Sequence, residues 1–238
     1  MPLKRLLKRI ILLPDLFRCL MNTFFLKQNL LNKYSVLHLG CGDIRLTNCI
    51  NVDYRATHAT DITHDCSNLE IFPEKSFSAV YSNAFFEHLY INQRIPCLKS
   101  IYRVLKDDGF VMFTGIPDFK NVARAYLNKE KITDSKVFDL DMVYRFTHGK
   151  PERCPAWWLA QLHKSLFDKE IISDLLRESN FVNSVIFKYR TVSENIPVSL
   201  GFIGFKQKSR YKTSMSWLKQ QLKHYSKTIQ YDTIAVAR

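Results

Sequence analysis

Apolar positions along this chain gather into short continuous runs, separated by stretches in which they recur at helical spacing. That alternation builds a parallel sheet flanked by helices. Ser35–Leu39 (SVLHL) reads as a strand running into Gly40, and Ile50–Val52 as a second strand ending at Asp53. Thr60–Thr63 is a weaker third ending near Asp65, and Phe77–Ser82 (FSAVYS) a fourth. Ile95, Leu98, Ile101, Tyr102 and Leu105 share one helical face and predict a helix over about 95–105. The turn KDDG, closing at Gly109, then leads into a fifth strand, Phe110–Thr114. Farther on, Asp168–Ser179 predicts a helix capped by Asp168, with Glu170 in its first turn and Ile171, Leu175 and Leu176 facing the core. Val185–Tyr189 and Thr233–Val236 read as the last two strands. A basic insertion at about 191–230 lies between them, with a helix over Ser214–Tyr225. Residues 119–165, irregular and rich in aromatics and charges, are expected to cap the sheet. With no internal repeat, residues 34–238 need only one domain.

Residues 1–33 stand apart from that pattern. Leu6, Leu7, Ile10, Ile11, Leu13, Phe17 and Leu20 approximate one apolar stripe, with Lys4, Arg5, Lys8, Arg9 and Arg18 mostly elsewhere. A basic amphipathic helix of this kind either packs on its own domain or lies in a membrane interface. Pro14, Asp15 and Arg18 interrupt the apolar run and no small-residue cleavage site follows, so it reads neither as a targeting segment nor as a membrane span. The net charge of +13 is concentrated at the two ends: seven Lys/Arg against Asp15 in residues 1–33, and eight against Asp232 in residues 205–238. The 171 residues between them sum to zero. Such ends suit an anionic membrane, an acidic partner or simple solubility. The six cysteines show neither a C-x-x-C pair nor metal spacing and read as reduced thiols. The expectation is a cytoplasmic protein, peripheral to the inner membrane face if its basic ends dock there.

The strongest chemical signal is Leu37–Asp43, L-H-L-G-C-G-D, which holds two of the chain's 7 glycines. A buried strand ending in glycines lets the backbone turn sharply and approach a ligand closely. Eleven residues after Gly42, Asp53 closes the next strand, where a carboxylate can accept hydrogen bonds from a ribose diol. The P-loop G-x-x-x-x-G-K-[ST] is absent. Arg45 stands where a dinucleotide fingerprint needs its third glycine, and Asp43 would repel a pyrophosphate. A ligand with a ribose and a positive charge but no phosphate fits better.

At these residues the chain resembles the class I S-adenosylmethionine-dependent methyltransferases. The likeness runs from about Val36 to Phe181 through five ordered segments: GCGD, NVD, HDCSNLEIFPEKSFSAVYSNAFFEHL, YRVLKDDGFVMFTGIPD and HKSLFDKEIISDLLRESNF. It implies an α/β Rossmann-like sheet of seven strands, mostly parallel with the last antiparallel, and S-adenosyl-L-methionine as cofactor. Gly40, Cys41 and Gly42 match the loop on the methionine part, Asp53 the ribose acid and Asp65 the adenine contact, with Cys66 beside it. Asn83 follows the strand that closes the methionine pocket. His38 occupies a position where many relatives carry an acid, and it completes the expected cofactor set. Only Asp43–Cys49 separate the glycine loop from the second strand, too few for an ordinary crossover helix, so that helix is expected to be shortened or replaced. This compact form is similar to a bacterial branch associated with surface-polysaccharide synthesis.

For an oxygen acceptor the protein must orient the reactants and remove a proton. His88 after the fourth strand, Asp118 after the fifth, and His163 in the cap are the candidate catalytic groups, with His148 nearby. Tyr144, Phe146, Trp157 and Trp158 offer stacking surfaces for an acceptor. The carboxylates near Asp118 lack a partner constellation, and no metal site is expected. The leading reading is O-methylation of a sugar, glycan or other small or lipid-linked acceptor. A non-catalytic scaffold docking through the basic ends is the first alternative. An RNA methyltransferase using Lys206, Lys208, Arg210, Tyr211 and Lys212 ranks below it, because no RNA-binding module is recognisable and N-P-P-[YFW] is replaced by S-N-A-F.

Overall fold

In the computed structural model the described residues are 27–150, 158–181, 183–207, 214–225, 229–230 and 234–236. The amphipathic stripe expected over residues 6–20 lies outside them. Five strands form the parallel half of the main sheet: β1 (Val36–Leu39), β2 (Ile50–Asp53), β3 (Ile62–Thr63), β4 (Phe77–Asn83) and β5 (Leu105–Pro117). β8 (Asn183–Tyr189), β9 (Ser199–Phe205) and β10 (Ala235–Val236) complete an eight-stranded sheet in the order β10-β8-β9-β5-β4-β1-β2-β3. β9 runs antiparallel to both β5 and β8, so the sheet is mixed but mostly parallel in its first half.

β9 corrects the expected basic insertion at 191–230. Its sequence SLGFIGF is buried at every position, a continuous apolar run suited to a strand covered on both faces. Gly201 sits where a neighbour presses close: a Cβ there would lie 2.4 Å from the Phe187 ring. The partner antiparallel to β5 is therefore β9, whereas Ala235–Val236 forms an outer edge on β8.

Helices cover both faces. α1 (Ile91–Val104) and α5 (Lys169–Glu178) pack on one side through Leu98, Ile101, Val104, Ile172, Leu175 and Leu176, joined by Leu30 and Leu31 of the helical residues 27–33. α1 starts four residues earlier than its apolar spacing predicts, because Gln93 Oε1 accepts the Tyr90 N–H at 3.0 Å and closes its first turn. α5 is capped as expected, with Asp168 Oδ1 accepting the Ile171 N–H at 2.8 Å. Its core face is Ile172, Leu175 and Leu176, however, and Ile171 is exposed, because i, i+3, i+4 spacing counted back from Leu175 lands on 172.

No helix joins β1 to β2. The ten residues Gly40–Cys49 cross between these parallel strands as turns. Asn51 holds that crossover: its Oδ1 accepts from Leu46 N at 3.0 Å, and its Nδ2 donates to Leu46 O and to Asp61 Oδ2, each at 3.0 Å. Arg45 in turn donates to Asp61 Oδ1. The sheet face left bare is covered by α6 (Met215–Tyr225). Its Leu218, Leu222 and Tyr225 cluster with Cys49, Tyr81 and Met112, and Val36 and Leu46 pack alongside. Residues 119–165 build the cap: α2 (Phe119–Leu127), a hairpin of β6 (Lys131–Thr133) and β7 (Lys136–Val137), α3 (Leu140–His148) and α4 (Trp158–Gln161). A small apolar cluster of its own includes Val122, Phe138 and Phe146. Among the described residues no helix is long and apolar enough to cross a membrane.

Candidate active site

β1 is the point where strand order reverses. The chain builds outward through β2 and β3, then returns to place β4 on the other side of β1. Open α/β sheets bind ligands at the C-terminal ends of strands flanking such a point. A cavity of about 510 Å³ lies there. Gly40, Cys41, Gly42, Asp53, Asp65, Cys66 and Asn83 all line it, so seven of the eight expected cofactor residues converge across 44 positions of sequence.

Local backbone geometry explains the loop. Gly40 and Gly42 adopt φ of +63° and +54°, the left-handed region that a Cβ disfavours. A Cβ on Gly40 would also meet the Phe85 side chain at 3.1 Å. The Asp53 carboxylate reaches back to this loop: Oδ2 accepts the Gly42 N–H at 2.7 Å and Oδ1 accepts the Arg55 N–H at 2.9 Å. Oδ1 also faces the Arg55 guanidinium, Nε at 3.5 Å, while Oδ2 keeps acceptor capacity beyond its bond to Gly42. Asp65 is exposed at the rim and accepts from Ser67 N at 2.8 Å. Asn83 Oδ1 is held by the Thr114 hydroxyl at 2.9 Å, which leaves its amide NH₂ for the cavity side. Cys66 is a buried thiol at the floor, its pKa raised by burial.

His38 departs from the expected set. It is 3% exposed, does not line the cavity, and belongs to the opposite sheet face from Leu37 and Leu39. There its ring lies 5.5 Å from that of Tyr81, and Nδ1 bonds Asn51 Oδ1 at 2.9 Å. Strand alternation sends a side chain at this position under α6, so His38 braces the crossover.

Of the candidate catalytic groups, His88 lines the cavity and the other two do not. Asp118, 2% exposed, accepts from Asn121 Nδ2 at 2.7 Å and pairs with Lys188 at 3.4 Å, tying α2 to β8. Its carboxyl pKa is raised by burial against the pull of Lys188. His163 stands behind His88, ring centroids 5.0 Å apart. Of the four aromatics expected at an acceptor surface, the two described ones do not line the cavity. Phe146 is buried in the cap cluster stacked on Phe138, and Tyr144 stacks on His148. Trp157 and the Trp158 side chain lie outside the described residues. Lys206, the first of the basic run, is buried: Nζ donates to Leu105 O at 2.8 Å and sits over Tyr102, so it has no part in tracking a nucleic-acid backbone. The rest of that run falls outside the described residues.

Several lining residues carried no signal in the sequence: Tyr54 just past Asp53, Phe85, Leu89, Tyr90, Gln161 and Lys164. The adjacency of Tyr54 to the acid was the only readable clue. Glu87 was missed altogether. It belongs to the short 3₁₀ turn Phe86–His88, is 1% exposed, and forms with His88 and His163 a group whose ligand atoms lie within 4.8 Å of one another. The sequence offered no metal constellation because the two histidines stand 75 positions apart and only the cap fold brings them together. Burial pushes the Glu87 carboxyl up to about 8. Burial, with His163 and Lys164 nearby, brings His88 down to about 4, against the pull of the Leu162 carbonyl.

Residues 37–113 match the sequence profile described as methyltransferase domain, over the stretch that carries the glycine loop, Asp53, Asp65 and Asn83. That stretch, about a third of the chain, is similar to a methyltransferase domain. Among solved structures, this domain is similar to a methyltransferase of Archaeoglobus fulgidus at 15% identity, covering 81% of this chain and 94% of that one, with a TM-score of 0.49. It is similar to one of Thermotoga maritima at 14% identity, covering 82% and 95%, with a TM-score of 0.46. A third is the 1,6-didemethyltoxoflavin-N1-methyltransferase of Burkholderia thailandensis, solved with S-adenosylhomocysteine, at 15% identity, 74% and 73% coverage, and a TM-score of 0.45. No curated protein matches the chain.

The site fits the methyltransferase cofactor, S-adenosylmethionine. The volume suits a small molecule. Asp43, Asp53 and Asp65 outnumber Arg55 and Lys164 on the lining, which favours a sulfonium cation over a phosphate, and the Gly40–Gly42 main chain is bare enough for close approach.

Proposed function

We propose that this methyltransferase acts on a hydroxyl oxygen of a sugar, glycan or other small or lipid-linked acceptor. The carrying observation is the cluster at the cavity wall. His88 and His163 are turned so that each Nδ1 faces a backbone carbonyl, Leu162 O at 3.1 Å and Phe146 O at 2.9 Å. A carbonyl only accepts, so both Nδ1 atoms carry the proton and both Nε2 atoms are bare. Acceptor groups beside Glu87 suit an OH that must be held and deprotonated. An acceptor already bearing a lone pair on nitrogen needs no such arrangement.

S-adenosylmethionine, when bound, supplies an electrophilic methyl on sulfur. The chain's own residues do the rest. Asp53 accepts hydrogen bonds from a vicinal diol, Gly40 and Gly42 give main-chain contact, and Asn83 offers its NH₂ to an acceptor group. Phe85 and Leu89 exclude water from one wall, which strengthens each polar contact. His88 Nε2, at the cavity wall, accepts the hydrogen bond of the acceptor hydroxyl.

The test is transfer of labelled methyl by the full chain to free sugars, nucleotide sugars, oligosaccharides and lipid-linked glycans, with amines in parallel. Label on oxygen is expected, with His88→Gln lowering turnover about 100-fold, in the range of a proton-handling group. Label confined to amines contradicts the reading.

A further inference from the structure

We propose that Glu87, His88 and His163 form a binding site for one divalent transition-metal ion of the zinc type at the wall of the cofactor cavity. The inference deepens the proposed function, since the ion would stand where an acceptor hydroxyl is to be held.

Two bare imidazole nitrogens and a buried carboxyl converge here. His88 Nε2 lies 3.8 Å from Glu87 Oε1, and the ligand atoms of all three residues lie within 4.8 Å of one another. Ligands of one tetrahedral zinc, each about 2 Å from the ion, stand about 3.3 Å from one another, so the three side chains reach a common ion by closing on it through small rotations. Glu87 is 99% buried by its 1% exposure, and its Oε2 finds no hydrogen-bond partner among the described residues. A buried carboxylate oxygen without a partner is costly unless a cation or proton answers it. Nothing in the secondary structure requires that carboxylate. The Glu87 backbone carbonyl does the structural work, accepting from Lys164 N at 2.8 Å and Ser165 N at 3.2 Å to pin the cap to the turn.

The histidines are prepared as ligands. Metal-bound imidazoles characteristically donate their other ring N–H to a carbonyl or carboxylate, which fixes tautomer and orientation. Leu162 O and Phe146 O serve that role here. Gly149 leaves room at His163: a Cβ there would approach His163 Nε2 to 3.2 Å. The Lys164 ammonium is on the His88 carbonyl at 3.1 Å and over the Tyr90 ring, so it does not neutralise Glu87 directly. Two imidazoles and one carboxylate are the donor set of three-ligand zinc sites and of other borderline divalent ions, leaving a coordination position open. His88 lines the cavity, so that position is available to an oxygen ligand, whose proton the ion makes more acidic.

The test is competition for zinc between the metal-stripped full chain and a chromophoric chelator, with cobalt(II) spectra as a second readout. One zinc per chain is expected. Glu87→Gln and His163→Gln should each weaken affinity at least about 100-fold, the upper range of losing even an outer partner. Should Glu87→Gln fail to fold, His163→Gln decides alone, because it lies outside the apolar core. Less than about one-fifth of an equivalent bound, or zinc affinity unchanged in His163→Gln, overturns the site and leaves Glu87 and His88 sharing only a proton. S-adenosylhomocysteine affinity is measured on the same samples. Its loss in the unsubstituted protein would fault the cofactor crevice without touching the metal result, because His163 does not line that cavity.

Discussion

Asp53 and the two glycines were legible because chemistry at a strand end demands particular residue types at fixed spacing. His38 was not, because its role depends on which sheet face it occupies, and that follows from register. Glu87 and His163 were hidden for a different reason: their meaning arises from a turn and a cap packed together, with no local pattern to mark it. Asn51 and Asp61 show how a polar pair replaces secondary structure. Burial alone would raise the Asp61 carboxyl, but hydrogen bonds from the Asn51 backbone and amide, together with Arg45, outweigh it and hold it below the usual range. A depressed folded pKa stabilises the fold above the unfolded value, about 3.9, and that contribution is lost as pH falls through the folded value. Between pH 7 and pH 3 the urea midpoint should therefore fall further in the unsubstituted protein than in Asp61→Asn. An equal fall would show that the pair does not anchor the crossover.

Elements with strong periodicity were readable to within a few residues, as β1, β4 and α5 show. β9 escaped because its glycines and its basic flank masked a buried run, although full burial on both faces is what produces a strand without alternation. α6 was legible as a helix, but its task was not. With no helix in the ten-residue crossover, it shields β1, β4 and β5 from solvent. Leu222, fully buried in that contact, is therefore a core residue despite its place near the chain's basic end. Leu222→Ala should lower unfolding free energy by about 2–5 kcal/mol. Leu140→Ala, at a position 65% exposed, should stay within about 0.5 kcal/mol. Similar urea curves for the two variants would mean that α6 is not part of the folded core.

At the scale of the whole molecule, strand order, loop and cap meet at one place. Reversal at β1 opens a crevice, the glycine loop lowers its wall, Asp53 stands at its rim, and the cap delivers Gln161 and Lys164 to the far side. The sequence conveyed the sheet half of this site because strand tips carry their own signature, and it withheld the cap half because the cap is irregular and acts through tertiary contacts. The most direct measurement is calorimetric titration of the full chain and of Asp53→Ala with S-adenosylmethionine. Micromolar binding is expected in the unsubstituted protein. Hydrogen bonds to a charged group contribute about 1.5–3 kcal/mol each, so the substitution should weaken binding by about tenfold or more. No heat of binding at millimolar ligand, or the same dissociation constant in both proteins, would contradict the crevice as the seat of the cofactor.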